Sequence, residues 1–524
     1  MLESAQIKQL IERSRSRFEK YKGGFDSISR SYLSQFKSEV KESLRKRNKS
    51  HIFIPVLPSK VRRILASFQE SYFANEDIVK IEQVLEYPEL ASFINLLQEA
   101  FNHYTQKEIK LFSVLSRNML DAILYGTPIM RVYWSGDKPI LENISIYDVF
   151  LDPDATSNGD INYLVHNIYL SKNQIYKLID NGVFTPENEV MRESEAIKLY
   201  AREKIQEVYY KLDNAWYCAS MWKDNKLRDT PLQDGLPFII GNLIPQITYN
   251  DEDGVRLYGE SPIAIILPLQ QEINTRRNQQ IDAIDLAINP RVLLQNGGGI
   301  DPFAFKKGAG EIIQCSDPNA VKFFTPPSIN EGTFDVQRLD MEAQEAIGVT
   351  AYNSGINSNQ LNQTATGISV LSSEANTRIQ SLIRGYNETF IEPMLTRLAK
   401  LIYKYDTKFF LQGSFKPPLD LVAKINTGLG ATNKQLQLQN YQMAFQMFAQ
   451  IQNVQGMLRI VQDILPLLGI KNKEDYFPQE MINPKDYLSA QGVLQNATIN
   501  QIGDSNLQGI QSIPTHYQGG NAQI

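Results

Sequence analysis

SPIAIILPLQQEINTRRNQQIDAIDLAIN, residues 261–289, reads as one long helix, opened by Glu260-Ser261-Pro262 with proline in the first turn. Its middle, Gln270 to Gln280, holds a single aliphatic residue, Ile273. A helix so polar lacks a broad apolar stripe to bury in its own subunit. It must bridge elements, pack polar groups against copies of itself, or face water. Facing water would make it a channel wall; the plainer reading is an exposed connecting helix.

Downstream, after a strand-rich insert, Glu331 to Ile347 keeps a narrow apolar stripe of Val336, Leu339, Ala343 and Ile347 at helical spacing. Its other faces carry Glu331, Asp335, Asp340, Glu342 and Glu345 against one cation, Arg338. A charge run on a helix is usually a solvated face. A ring of such helices, however, would present a strongly negative wall. Gly348 to Thr366 follows with Tyr352, Asn353, Asn357, Asn359, Gln360, Asn362 and Gln363 and no charged side chain. Loops of this length inside a domain are uncommon and are usually functional or disordered.

Thr366 then caps a second long helix, with Leu371, Ala375, Ile379, Leu382, Ile383, Tyr386, Phe390, Met394, Leu398, Leu401 and Ile402 on its apolar face. Gly385 and Pro393 interrupt the pattern, and an internal proline removes a backbone bond, so a bent helix is expected. Two long helices bracketing an uncharged loop suit a ring around a passage better than an enzyme pocket.

Upstream, helical patterns dominate 3–22, 28–48, 58–75 and 88–125. PIMRVYW, ILENISIYDVFLD, YLVHNIYL, IQEVYYKL, AWYCASMW and LPFIIGNLIP read as strands, with a short helix over Lys172–Asn181 between them. The expected fold class is therefore α+β, predominantly α-helical, with the strand module packed against residues 88–125. Lys434 to Leu468 is helical again and glutamine-rich, with Leu438, Tyr441, Phe445, Met447, Phe448 and Ile451 apolar; Asp486 to Ile524 has no Lys or Arg and weak periodicity, which suggests partial disorder.

The 524 residues carry a formal charge of -5 and 42% hydrophobic residues, as a folded protein of several domains does. The charge is uneven: residues 1–63 hold 16 Lys or Arg against 6 Asp or Glu, a net of +10 that leaves -15 for the rest. Its densest part, Lys37 to Lys49 with Arg45, Lys46 and Arg47, reads as a contact segment for a subunit or partner surface, with nucleic acid as the alternative. Cys218 and Cys315 are the only cysteines and define neither a disulfide framework nor a zinc site, as in a reducing cytoplasm. The first residues form a charged amphipathic helix rather than a signal peptide, and no apolar run approaches the ~20 residues that span a bilayer, so neither secretion nor membrane insertion is expected.

In order and spacing, LPLQQEINTRRNQQIDAI (Leu267–Ile284), NPRVLLQNGG (Asn289–Gly298), TATGI (Thr364–Ile368), YGTPIMRVYW (Tyr125–Trp134) and DVFLDPDA (Asp148–Ala155) resemble the portal proteins of tailed bacteriophages, in particular podovirus-type head-to-tail connectors. The resemblance covers about residues 10–470. It implies a ring, typically of twelve subunits, at one capsid vertex, through which double-stranded DNA is packaged and ejected. The terminase motor and then tail adaptor proteins would dock on it, and major capsid and scaffolding proteins would surround it, in a virion assembled in the host bacterial cytoplasm.

Laid on this chain, the resemblance makes 1–260 an N-terminal wing, 261–289 and 331–347 two stem helices, and 290–330 a clip. Gly348–Thr366 would be the tunnel loop, 367–430 a long kinked wing helix with a strand region, 431–485 a helical crown, and 486–524 a tail. Arg276, Arg277, Asp335, Arg338, Asp340, Glu342 and Glu345 would then line the stem, while Phe303, Phe305, Lys306 and Lys307 would form a docking patch in the clip. A conduit must not hold its cargo, and basic linings bind phosphates tightly. An acidic stem with an amide-bearing loop fits that need.

Other motifs read plainly. Asp152, Asp154 and Asn158 mimic a calcium loop, but the sixth position is Ser157 and the twelfth Tyr163, so a strand-ending turn is expected. There is no GxxxxGK[ST] loop, and His51, His103, His166 and His516 show no ligand spacing. No cofactor and no catalysis are therefore expected. The rival readings are a non-portal helical capsid scaffold, or a metal-dependent hydrolase using Asp152, Asp154 and Asp160.

Overall fold

The computed structural model describes residues 1–73, 79–83, 90–193, 195–245, 257–290, 292–294, 303, 319, 321–323, 330–348, 377–410, 417, 421–425, 434–451 and 453–467. They fall into two units, Met1–Leu429 and Gly430–Ile524.

The first unit opens with α1, Ser4–Tyr32, an unbroken helix of 29 residues where the periodicity suggests two shorter ones. Gly23 and Gly24 sit mid-helix with open space where a Cβ would lie. Their helix-propensity cost, ~1 kcal/mol each, is outweighed by burial on either side, since Phe18 and Phe25 enter the same core with ring centroids 6.2 Å apart. After a turn at Ser34 (φ 57), α2 spans Ser38–Lys46, and α3 spans Val56–Phe73. Strand β1 (Val79–Gln83) and α4 (Ala91–His103) follow. A π-helical turn, Tyr104–Ile109, ends at Lys110 in the left-handed region and hands over to α5, Leu111–Tyr125.

The strand module contains β2 (Ile129–Ser135), β3 (Lys138–Asn143), β4 (Val149–Leu151), β5 (Tyr163–Ser171), α6 (Lys172–Asp180), α7 (Ala196–Leu199), β6 (Arg202–Leu212), β7 (Ala215–Trp222), β8 (Asn225–Leu232) and β9 (Phe238–Ile240). They form a three-stranded sheet, β3-β2-β9, and an antiparallel five-stranded one, β4-β5-β6-β7-β8. Strand β8 escapes a sequence reading because NKLRDTPL lacks alternation. It is an edge strand, where Pro231 costs no ladder bond. Ser171 and Gln174 close a reciprocal capping box at the start of α6.

The five-stranded sheet is covered by α1, not by residues 88–125. Ile7, Ile11, Phe18 and Phe25 join Val149, Leu164, Val208 and Ala219 in one core, whereas α5 packs on β3 of the small sheet. Buried charge lies between the sheets. Glu207 of β6 accepts from Tyr209 Oη at 2.7 Å and from Arg228 Nη2 at 3.3 Å, and it faces Arg131 of β2 at 3.6 Å and His166 Nδ1 at 3.8 Å. Burial alone would raise its pKa, but His166, Arg131, Tyr209 and Arg228 prevail and hold it at about 2. Burial pushes the neighbouring Cys218 thiol up to about 12, a setting for an inert cysteine; Cys315 lies outside the described residues.

The chain continues through α8 (Leu267–Ile288), β10 (Val292–Leu294), β11 (Val321–Phe323) and α9 (Asn330–Ile347). Strands β10 and β11 pair antiparallel. Residues 377–386 are helical and pass through a π-helical turn, Asn387–Ile391, into α10, Glu392–Tyr405. The turn lies directly ahead of Pro393, so the helix absorbs the proline by widening one turn. Residues 368–376 of the expected helix lie outside the described residues. Strand β12 (Leu421–Ile425) pairs with β1, Val79 opposite Ile425.

Helices α3, α4, α5 and α10 share a second core around Phe68, Tyr72, Phe101, Tyr104, Tyr386 and Phe390. Its tyrosine hydroxyls are satisfied internally. Tyr386 donates to Asn118 Oδ1 at 2.8 Å, Tyr104 to Asp406 at 2.5 Å, and Tyr72 to Asn387.

The second unit contains α11 (Lys434–Gln450) and α12 (Val454–Leu467), packed against each other with Phe448 on Gly456. Residues 468–524 lie outside the described residues. No helix among the described residues is long and apolar enough to cross a membrane.

Candidate functional site: the paired helices and their strap

Helices α8 and α9 pack side by side. Leu339, Ala343 and Ile347 of α9 are buried, and Val336 is half-buried, so the narrow stripe is its inner face. The polar face of α8 behaves differently from its sequence reading. Gln270, Asn274 and Asn278 are buried within the chain's own fold, against the non-helical segment 50–55 and the start of α3 at Leu57.

The contacts form a ladder. Ser50 N–H donates to Asp282 Oδ1 at 2.7 Å, Ile52 N–H to Asn278 Oδ1 at 2.7 Å, Ile54 N–H to Asn274 Oδ1 at 2.8 Å and Leu57 N–H to Gln270 Oε1 at 2.9 Å. In return Asn278 Nδ2 donates to Ile52 C=O and Gln270 Nε2 to Ile54 C=O, each at 2.7 Å. The spacings explain the fit. Four helical residues rise ~6 Å, and two extended residues advance ~6.6 Å. Side chains at Asn274, Asn278 and Asp282, four residues apart, therefore meet the alternate residues Ile54, Ile52 and Ser50 of an antiparallel strap, and Gln270 meets Leu57 three residues further on. The helix face does what a neighbouring β-strand would do, and Gln270 also satisfies an N–H in the first turn of α3. Burial pulls the Asp282 carboxyl up, but the Ser50 N–H and the Lys49 ammonium, 3.4 Å away, outweigh it and hold its pKa below the ordinary value.

A glycine junction fixes where α8 begins. Gly126 (φ 74) ends α5, and a Cβ there would lie 2.4 Å from the Glu260 carbonyl carbon; one on Gly259 would lie 2.3 Å from Gly126 O. Leu243 N–H donates to Gly126 O at 2.9 Å and Gly259 N–H to Thr127 Oγ1 at 2.8 Å. Ser261, expected as a helix cap, donates to Ile123 C=O at 3.0 Å and supports the turn that precedes α8. The helix itself starts at Leu267 with Pro268 in its first turn.

The residues expected to line a stem take several environments. Arg276 is exposed beside Glu272 at 3.5 Å, and Arg277 donates to Gln280 Oε1 at 3.1 Å. Asp340 receives the buried Lys60 of α3 at 3.0 Å, so it ties α9 to α3. Arg338 and Glu342 pair at 3.6 Å, and both Glu342 and Glu345 are exposed. Asp335 falls on α9 with its side chain outside the described residues, as are Tyr352, Asn353, Asn357, Asn359, Gln360, Asn362 and Gln363. Of the docking patch, Phe303 is 66% exposed, while Phe305, Lys306 and Lys307 lie outside the described residues. In α2, Lys46 pairs with Glu42 at 3.0 Å, Arg47 donates to Ser43, and Arg45 is exposed.

The acidic turn is occupied from within. Asp152 accepts from the N–H groups of Asp154 and Asn162, Asp160 from those of Thr156 and Ser157, and Asp154 pairs with Arg13 at 2.7 Å. Asn158 donates to Ile240 C=O. Among the described residues no group of three His, Cys, Asp or Glu is placed to hold a metal. The residues that sequence reasoning missed are Gln270, Asn274, Asn278 and Asp282. Their signal was the four-residue spacing of amides and acid where an apolar stripe is usual.

The model of the phage SU10 portal protein family matches residues 135–501, and the chain belongs to that family. Its role is that of a phage portal protein, a structural family. The comparison with curated proteins gives no match. Among solved structures, the chain is similar to one in the "Neck of empty GTA particle computed with C6 symmetry" at 12% identity, covering 76% of this chain and 86% of that one, with a TM-score of 0.34.

Proposed function

We propose that copies of this chain assemble into a ring, of about a dozen subunits as the portal resemblance implies, at one vertex of the capsid. Double-stranded DNA passes through its axis during packaging and ejection, without catalysis by this chain. Helices α8 and α9 form the stem, residues 290–330 the clip that receives the terminase motor and later the tail adaptor, and Gly348–Thr366 the constriction. Residues 1–260 and 367–430 form the wing, and 431–485 a crown, with major capsid and scaffolding proteins around them.

The observation that carries this reading is the outward face of α9. Glu342 and Glu345 stay exposed beside one cation, Arg338, which pairs with Glu342, while the buried Lys60 is taken up by Asp340. Such a wall repels a phosphate backbone rather than binding it. The rigid clamp on α8 suits a stem that must keep its shape as cargo moves past.

Electron microscopy of the purified chain, with a mass measurement on the same sample, tests the proposal. Rings with an axial hole and a mass near twelve 59.7 kDa subunits are expected. A stable monomer or a small closed oligomer across salt conditions would refute it.

A further inference from the structure

A cleft of about 280 Å³ opens where α10 passes the turn between β8 and β9. Its lining includes Pro393, Arg397, Leu401 and Lys404, which share one face of α10 at helical spacing, and Asp234 of the turn. The exposed Lys400 also lines it.

Arg397 is half-buried, and two of its five N–H groups are used on backbone. Nε donates to Val132 C=O at 2.9 Å and Nη1 to Asp234 C=O at 3.1 Å, which fixes the plane of the guanidinium. Three N–H groups are left without a protein acceptor among the described residues. Deeply placed cations elsewhere in the chain face a carboxylate, Lys60 that of Asp340 at 3.0 Å and Arg131 that of Glu207 at 3.6 Å. The carboxylate that acts on Arg397 is Asp234, and it is turned to Lys404 Nζ at 2.6 Å and Tyr405 Oη at 2.8 Å. Burial outweighs that distant charge and draws the Arg397 pKa below the ordinary arginine value. A cation desolvated in this way is costly until an anion meets it.

The surroundings select the anion. Pro393 and Leu401 stand one turn to either side of Arg397, so an incoming group gains most if it carries aliphatic surface next to a single negative charge. An Asp or Glu side chain in an apolar stretch of peptide has both, and its planar carboxylate can accept two parallel N–H groups from one guanidinium edge. A DNA backbone lacks the aliphatic surface and is held by many cations along its length. Asp234 in the cleft wall also stands against a second negative charge.

We propose that this cleft receives an acidic, apolar segment of a partner protein, with an Asp or Glu carboxylate seated on Arg397 and the adjoining aliphatic group on Pro393 and Leu401. The site lies within one subunit, so the inference goes beyond the ring reading and does not depend on it.

The test uses the full-length chain and fluorescence polarisation. A short fluorescein-labelled peptide of alternating glutamate and leucine should bind, and the same peptide with glutamine in place of glutamate should bind at least about tenfold more weakly, as loss of a charge-assisted pair requires. Pro393→Glu supplies a carboxylate four residues ahead of Arg397, the favourable order for a helical ion pair. This variant should keep or raise the urea-unfolding midpoint while weakening the glutamate peptide at least about tenfold. Arg397→Gln should also lose the peptide, and Pro393→Glu separates that loss from the bonds to Val132 and Asp234 that Arg397→Gln breaks. Failure of the glutamate peptide to bind, equal binding of the two peptides, or undiminished binding by Pro393→Glu would overturn the proposal. Displacement of the peptide by inorganic phosphate or by duplex DNA at matched charge would assign the cleft to phosphate and overturn it too.

Discussion

The Asn278 carboxamide grips both backbone groups of Ile52, accepting from its N–H and donating to its C=O at 2.7 Å each. One helical side chain thus stands in for the backbone of a paired strand. The strap needs this help because Ile52 itself is 53% exposed and contributes little apolar burial.

Asn278→Leu should therefore cost about 1–3 kcal/mol, the range for leaving buried peptide groups without partners. The local effect should exceed the global one. Trypsin cleavage at Arg47 and Lys49 should rise several-fold relative to wild type, read by limited proteolysis, whereas a substitution at exposed Gln279 should leave the pattern unchanged.

The glycines divide by what surrounds them. Gly259→Ala would place a Cβ 2.3 Å from Gly126 O, a backbone atom that cannot step aside, and should destabilise by more than about 3 kcal/mol. Gly23→Ala meets open space inside α1 and should stabilise by about 0.5–1 kcal/mol. Melting temperatures of the two variants should move in opposite directions.

Glu207 sets an acid limit on the strand module. Its folded pKa of about 2 lies below the ordinary value of 4.5, so its stabilisation is complete above pH 4.5 and is lost as pH falls towards 2. Glu207→Gln should cost roughly 3–5 kcal/mol at neutral pH, because Arg131 and Arg228 lose their buried counter-charge. The variant should also show a shallower loss of urea-unfolding midpoint between pH 5 and pH 3 than wild type.

Deletion of Asn353–Gln363 tests the loop between the paired helices and the long wing helix. Rings should form in normal yield, seen by microscopy, while DNA packaged or retained per particle falls. Failure of the ring to form would show that the loop serves assembly instead.

Much of this architecture was legible along the chain. The stripe Leu339, Ala343, Ile347 and the alternation of YLVHNIYL placed α9 and β5, because apolar spacing directly reports which face is buried. Strands β1 and β8 were not legible, and β12 was expected only as a strand region somewhere within 367–430. Five-residue or edge strands draw their stability from a partner distant in sequence, Val79 from Ile425 in one case, and leave little local pattern. The unbroken α1 was also missed, since its continuity past two glycines depends on the sheet beneath it.

The sequence by itself determined most of the helices and the longer alternating strands, the acidic character of α9, and a polar α8 without an apolar stripe. It could not say whether that polarity faced water. The tertiary structure decided that Gln270, Asn274, Asn278 and Asp282 face the strap, because periodicity records only how apolar a side chain is. The worth of a buried amide depends on whether a backbone donor and acceptor lie within 3 Å, and those groups come from residues more than 200 positions away.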